Sequence, residues 1–210
     1  MVQSAAQGEI SITHKLLGHS KTFALDELSG GVALYQAYTY LKENKLKSVI
    51  AGGVESVHFQ PVYEYINHIC QSNDKTYVPV DAACFIKLEN DSEEDQVELS
   101  AMGMGASFEA ALSFCLPLHE LDYCIMPVRS GHYPSDLLSQ DVNSLKRMTK
   151  KDIVFDSPQQ QAGNVVSASF PLAVAFASQL IKNMRQILVV GKSYTNMYIC
   201  ALLKKQKKEK

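Results

Sequence analysis

Lys21-Thr22-Phe23-Ala24-Leu25, Asp26-Glu27-Leu28-Ser29-Gly30-Gly31 and Leu46-Lys47-Ser48-Val49-Ile50-Ala51-Gly52-Gly53 are the three runs on which the fold turns. The first is short, β-prone and preceded by the turn Gly18-His19-Ser20, so it predicts a buried strand. After the second, Val32, Leu34, Ala37, Tyr38 and Leu41 recur at the helical period and predict an amphipathic helix ending near Asn44. The third predicts another buried strand, whose paired glycines permit a close backbone approach. Strand, helix and strand make a βαβ unit, the building block of an α/β protein.

Working outward, residues Val57 to Tyr77, with Tyr63, Tyr65, His58 and His68, predict a helical or irregular excursion. Asp81 to Glu89 predicts a strand, Asn90 to Gln96 an acidic turn, and Val97 to Phe108 the returning strand of a hairpin with its glycines at bulges. A short helix follows around Glu109 to Phe114, then a buried strand from Leu121 to Met126 and a polar stretch to Lys151. Val165 to Ile181 is free of charge. It is short for a membrane span and holds Pro171, Ser167, Ser169, Ser178 and Gln179, so a buried helix explains it better. Gln186 to Val190 and Asn196 to Leu203 predict a closing hairpin around Gly191-Lys192-Ser193-Tyr194-Thr195. The expected architecture is α/β, a mixed sheet packed on two fully buried helices.

At 210 residues and 46 % hydrophobic, the chain predicts a soluble globular protein, a single domain over 1–203. The net charge of −2 hides an asymmetry: Lys204 to Lys210 carry five lysines and one glutamate, leaving 15 basic against 21 acidic residues, or −6, in the body. The tail is expected to be solvated and disordered, and an acidic body excludes a nucleic-acid partner. Cys70, Cys84, Cys115, Cys124 and Cys200 are odd in number and have no CxxC spacing, and no signal peptide is apparent. This predicts reduced thiols in a cytoplasm, without disulfides. His14, His19, His58, His68, His119 and His132 show no metal-ligand spacing, so neither a metal nor a cofactor is expected. Cys124, mid-strand in an apolar run, is expected in the core rather than as a nucleophile paired with His132. Gly52-Gly53 lacks a following Lys-Ser/Thr and is not a phosphate loop.

Several strings resemble the β-ketoacyl synthases, condensing enzymes of the thiolase-like fold. Ser4 to Ile12 and Leu17-Gly18-His19-Ser20-Lys21-Thr22-Phe23 are similar to the family's approach to its nucleophile, followed by Ser29-Gly30 and by Val49-Ile50-Ala51-Gly52-Gly53-Val54-Glu55-Ser56, the most specific match. Asp81 to Glu89 is similar to the family strand Glu-Gly-Ala-Gly-x-x-x-Leu-Glu, Asp122-Tyr123 to the start of the strand bearing the first catalytic histidine, and Gly163 to Ala168 to the opening of the central helix. The resemblance covers nearly the whole chain. It implies a truncated thiolase-like fold: the first third of an ordinary domain and part of the segment before the last hairpin are absent, leaving half of a duplicated architecture minus one leading βαβ block. An open sheet edge and an unburied face are then expected, to be covered by another chain.

The same resemblance implies loss of catalysis. A ketosynthase needs a thiol at a helix tip to accept an acyl chain and two imidazoles to decarboxylate the extender unit. In this register the nucleophile position is Glu27, the two histidine positions are Pro127 and Asn164, the lysine position is Gln159, and Ser193-Tyr194-Thr195-Asn196 replaces the gating loop. Glutamate forms no persistent thioester, and proline has no side-chain group to hold a thioester oxygen. Glu27 near a helix N-terminus also fits a structural cap.

This pattern is similar to the chain length factor, the ketosynthase β subunit of bacterial type II (aromatic) polyketide synthases. The likeness implies a non-catalytic partner of a β-ketoacyl synthase α subunit, meeting acyl carrier protein through the complex, with Lys21, Thr22, Phe23, Ala24 and Leu25 pairing across the dimer axis. Glu27 and Tyr194 would be tunnel or gate positions, and the residues around Met1 to Gln7 would approach the partner's tunnel. The alternative is a thioester decarboxylase or hydrolase of the same fold with Glu27 as base. The missing histidine at Pro127 weighs against it, because an enolate oxygen loses a donor.

Overall fold

The computed structural model describes residues 5–25, 27–56, 80–90, 97–126, 135–149, 152–157, 165–193 and 195–206. Helix α1 (Ala5–Thr13) precedes α2 (Ser29–Lys42), β1 (Ser48–Glu55) and β2 (Ala82–Glu89). Then come β3 (Val97–Gly105), α3 (Phe108–Ser113), β4 (Leu121–Ile125), α4 (Ser135–Thr149) and β5 (Val154–Asp156). A 3-10 turn (Val166–Ala168) opens α5 (Ser169–Leu180), and β6 (Gln186–Lys192) and β7 (Tyr198–Lys205) close the fold.

The strands form two sheets, a five-stranded one in the order β3-β7-β6-β4-β5 and a two-stranded ribbon β1-β2. Helices α2 and α5 lie between them, and α3 and α4 cover the far side of the larger sheet. One face of β6 and β7 (Ile187, Val189, Ile199, Ala201, Leu203) meets Leu34, Ala37, Phe170, Val174 and Ala177 of the central helices. The other (Leu188, Val190, Cys200, Leu202) meets Phe108, Leu112 and Leu145 of the outer ones. Period-two alternation on strands buried on both faces explains why this sheet carries most of the core.

Two units of the chain have the same design. Helix, strand and antiparallel strand recur as α2-β1-β2 and α5-β6-β7, and a constant offset of 138 residues relates them, Lys42 to Leu180 and Ser48 to Gln186. Gly53 and Gly191 then correspond. A Cβ on Gly53 would overlap the Ser167 carbonyl, and one on Gly191 would lie 2.6 Å from Phe170 Cδ2, so both strands reach the helix layer through a glycine.

Several expectations need correction. Among the described residues Lys21 to Leu25 joins no ladder, and all but the half-buried Phe23 are exposed, since no described strand lies beside this single extended run. The βαβ unit is therefore not closed; among the described residues β1 pairs only with β2, and only Ala51 and Gly53 of it are buried. β3 does not return along β2. It pairs antiparallel with β7, where Val97, Leu99, Met102 and Met104 meet the central core and Gly103 and Gly105 admit α3 on the other side. Two covered faces outweigh the single covered face offered beside β2. The bulge lies between Leu99 and Ala101, not at a glycine. The polar stretch before Lys151 contains α4, and β5, α1 and the 3-10 opening of α5 are additions; α5 is also not fully buried, with Phe176 and Gln179 exposed. β7 runs through Lys205, two residues into the lysine-rich tail. The chain holds one five-stranded half plus the helix-strand-strand part of the other, more than half of the duplication. Val57 to Tyr77 lies outside the described residues.

Candidate functional site

The C-terminal ends of β4, β5 and β6 lie side by side, because these strands are parallel, with Ile125 opposite both Asp156 and Val189. Open α/β sheets place their ligand sites at such an end. The N-termini of α2 and α5 meet here too: a Cβ on Gly30 would overlap the Ser167 carbonyl and come within 2.7 Å of Pro171 Cγ. Ser167 Oγ donates to the Val54 carbonyl at 2.7 Å and fastens the start of α5 to the end of β1.

Glu27 stands at the entrance to α2, immediately before Leu28, the capping position, and its Oε2 is buried. Leu28 is buried against Gly191, fixing the turn over the end of β6. Ser29 Oγ accepts from the Leu25 backbone N–H at 3.0 Å, so the Lys21–Leu25 run is tied to the first turn of the helix. Lys21 Nζ donates to the Tyr40 hydroxyl at 2.5 Å and Thr22 Oγ1 to Gln7 Oε1 at 3.4 Å, which holds the run near α2 and α1 while leaving its surface open.

Pro127, Gln159, Asn164 and Tyr194 lie outside the described residues; the structure places the residues beside them. Met126 follows β4 and donates its N–H to the Asp156 carbonyl at 2.9 Å, Ser157 follows β5, Val165 precedes α5, and Ser193 follows β6. Thus the chain flanking all four positions, and Glu27 itself, converges on one end of the molecule. Val166 has φ 38°, a left-handed conformation costly for a β-branched residue, and the Ser169 hydroxyl bonds its carbonyl. Ser193 is buried, and its Oγ accepts from Thr195 N at 3.2 Å and Met197 N at 3.1 Å, which ties the β6-β7 turn together.

Sequence reasoning missed two features at this end. Tyr123 Oη donates to Asp156 Oδ2 at 2.6 Å, and Asp156 Oδ1 accepts from Ser157 N at 2.7 Å. Burial and the adjacent carboxylate push the Tyr123 hydroxyl up to about 12. No signal revealed the pair, since β5 is three residues of otherwise polar surroundings. Lys192 is buried with its ammonium 4.7 Å from the Tyr198 ring centroid, a cation-π contact at the end of β6.

Three of the four described thiols are withdrawn from solvent. Cys124 and Cys200 are wholly buried and Cys115 nearly so; burial raises all three, Cys115 to about 12. Cys124 is the packed core residue expected, and Cys84 of β2 is half-buried with its thiol also raised by burial. Among the described residues no three His, Cys, Asp or Glu side chains come together as a metal site, and no helix is long and apolar enough to cross a membrane.

No protein-family model and no curated protein matches the sequence. Solved structures do match. The chain is similar to one from AntDE:AntF, a type II polyketide synthase acyl-carrier protein in complex with its ketosynthase bound to the hexaketide (TM-score 0.79, 17 % identity, 97 % of this chain and 63 % of that one). It is similar to the ishigamide ketosynthase/chain length factor (0.71, 18 %, 96 % and 61 %). It is also similar to the ketosynthase ApeO in complex with its chain length factor ApeC from Xenorhabdus doucetiae (0.78, 10 %, 95 % and 63 %). The fold is the thiolase-like fold of the ketosynthases, as the sequence strings implied. The chain spans less than two-thirds of the length of these three relatives.

Proposed function

We propose that this chain is a non-catalytic chain length factor subunit that pairs with an active β-ketoacyl synthase in a type II polyketide synthase, supports its partner's fold and shapes the acyl tunnel at their interface. The observation that carries this reading is the residue at the tip of α2. On a ketosynthase fold, the position that resembles the nucleophile is Glu27, while the described thiols are packed in strands or beneath α3 with raised pKa. A carboxylate there holds no acyl thioester, so elongation passes to the partner. The open surface of Lys21 to Leu25 supports an association through this run, an unpaired segment to which a partner strand can add. Acyl carrier protein then meets the pair rather than this chain alone.

The test is co-expression with the ketosynthase encoded beside it, followed by affinity pull-down and size-exclusion chromatography. The expected result is a one-to-one complex that survives Glu27→Ala with only modest change in product and is abolished by Phe23→Asp. A well-behaved monomer that ignores the ketosynthase, or normal co-purification of Phe23→Asp, overturns it.

A further inference from the structure

The two helix starts that meet at the site end are counterparts, yet only one of them is strained. Through the 138-residue offset Val166 corresponds to Leu28 and Ser167 to Ser29. Leu28 has φ −89° and ψ 1°, on the negative-φ side that L-residues prefer, whereas Val166 has φ 38°. Starting a helix in this fold therefore does not demand a left-handed turn. The glycine opposite each start shows where the demand arises. A Cβ on Gly191 would press on side-chain atoms of Phe170 and Leu28, while one on its counterpart Gly53 would overlap main chain, the Ser167 carbonyl and, at 3.0 Å, Ala168 Cα. A Cβ on Gly30, in the first turn of α2, would overlap the same carbonyl. Ser167 is thus seated main chain first in a slot between α2 and β1 that two glycines leave open. The two serines also fasten differently. Ser29 Oγ accepts from the Leu25 N–H just upstream, while Ser167 Oγ donates across to the Val54 carbonyl of the other unit at 2.7 Å. Ser167 and Ser169 are both buried, and the Ser169 hydroxyl bonds the carbonyl of Val166 itself.

We propose that the start of α5 is a strained joint. Seating Ser167 between Gly30 and Gly53 turns Val166 left-handed, and the Ser167–Val54 and Ser169–Val166 hydrogen bonds hold that strain. The joint locks the end of β1 to the tip of α2, where Glu27 stands, so that a displacement of the end of β1 is felt in the first turn of α2. This inference rests on the fold and is independent of the subunit reading above, whose contact is the Lys21–Leu25 run.

The test uses the full chain and two substitutions at Val166 that differ only in the Cβ. Val166 is half-buried, so both leave the core intact. At a negative φ alanine is the more stable of the two, and at a positive φ the order reverses in favour of glycine. Urea denaturation should therefore give Val166→Gly an unfolding constant about five-fold lower than Val166→Ala. In a Ser167→Ala background, where the turn is free to relax, that advantage should shrink below about two-fold. Ser167→Ala alone should speed hydrogen exchange about five-fold or more beyond the change at 187–191, both at 53–55 and at 31–33. The joint is overturned by an alanine variant at least as stable as the glycine one, by a glycine advantage of about two-fold or more that survives Ser167→Ala, or by faster exchange confined to β1.

Discussion

The β6-β7 and β1-β2 pairs have the same connection, the same antiparallel register logic and a glycine at the same place, yet one lies in the deepest core and the other is half bare. All seven residues of β6 are buried, against two of eight in β1. The difference teaches that alternation and β-propensity decide that a segment is a strand, while the layers around it decide what each side chain contributes to stability. The site end depends on both units, since Ser167 binds β1 and Gly191 supports Leu28, so a loose ribbon bears directly on the surroundings of Glu27.

The comparison is broken most directly by truncating equivalent side chains. Leu188→Ala removes a fully buried side chain packed with Phe108, Leu112 and Leu145 on the outer face of the sheet and should cost about 2–5 kcal/mol. Ile50→Ala, at the matching position, should cost roughly 1 kcal/mol or less in the isolated chain, because nearly half of the side chain is already in water. Urea unfolding of both variants measures the gap. Equal losses would mean that the outer face of the ribbon is covered in solution.

Thiol chemistry sharpens the same contrast without mutation. Cys84 belongs to the ribbon and is partly accessible; Cys115, Cys124 and Cys200 belong to the clothed sheet and its α3 cover. Maleimide labelling at pH 8, mapped by peptide mass, should modify Cys84 in the native chain and the other three only at the rate of global opening. Native-state labelling of Cys124 at the rate of Cys84 would contradict the packing of β4 against α3.

Much of this was legible in the sequence because the local signals and the tertiary outcome agree. The stripe Leu34, Ala37, Leu41 lands on the core, and the hairpin around Ser193 closes as its turn residues demand, with Asn196 at φ 63°. Elements were misjudged where the deciding partner is distant in the chain. β3 reads as the return of β2 because the two are adjacent, but the covered surface beside β7, about a hundred residues onward, is the larger gain. β5 is three residues long and exists only because β4 offers a parallel edge. At the candidate site, family resemblance singled out Glu27, which the structure puts at the entrance to α2, whereas the Tyr123–Asp156 bond needed the strand order.

That bond gives the smallest effect, and one with a sign. An ordinary tyrosine titrates near 10.0, and Tyr123 is held up to about 12, so its neutral form is favoured in the folded chain. Its stabilisation is therefore complete below pH 10 and is lost as pH rises from 10 to 12, when the unfolded state releases the proton first. Cys115, raised from 9.0 to about 12, acts in the same direction from pH 9 upward. Stability should fall monotonically above pH 9, and Tyr123→Phe, costing about 1 kcal/mol at pH 7 for the lost hydrogen bond, should make the fall between pH 10 and 12 shallower. The readout is urea midpoints of both chains from pH 7 to 11.5. A parallel fall in the two would show that Asp156 does not hold the phenol, and that the ends of β4 and β5 beside the candidate site are fastened by backbone pairing, the Met126–Asp156 bond included.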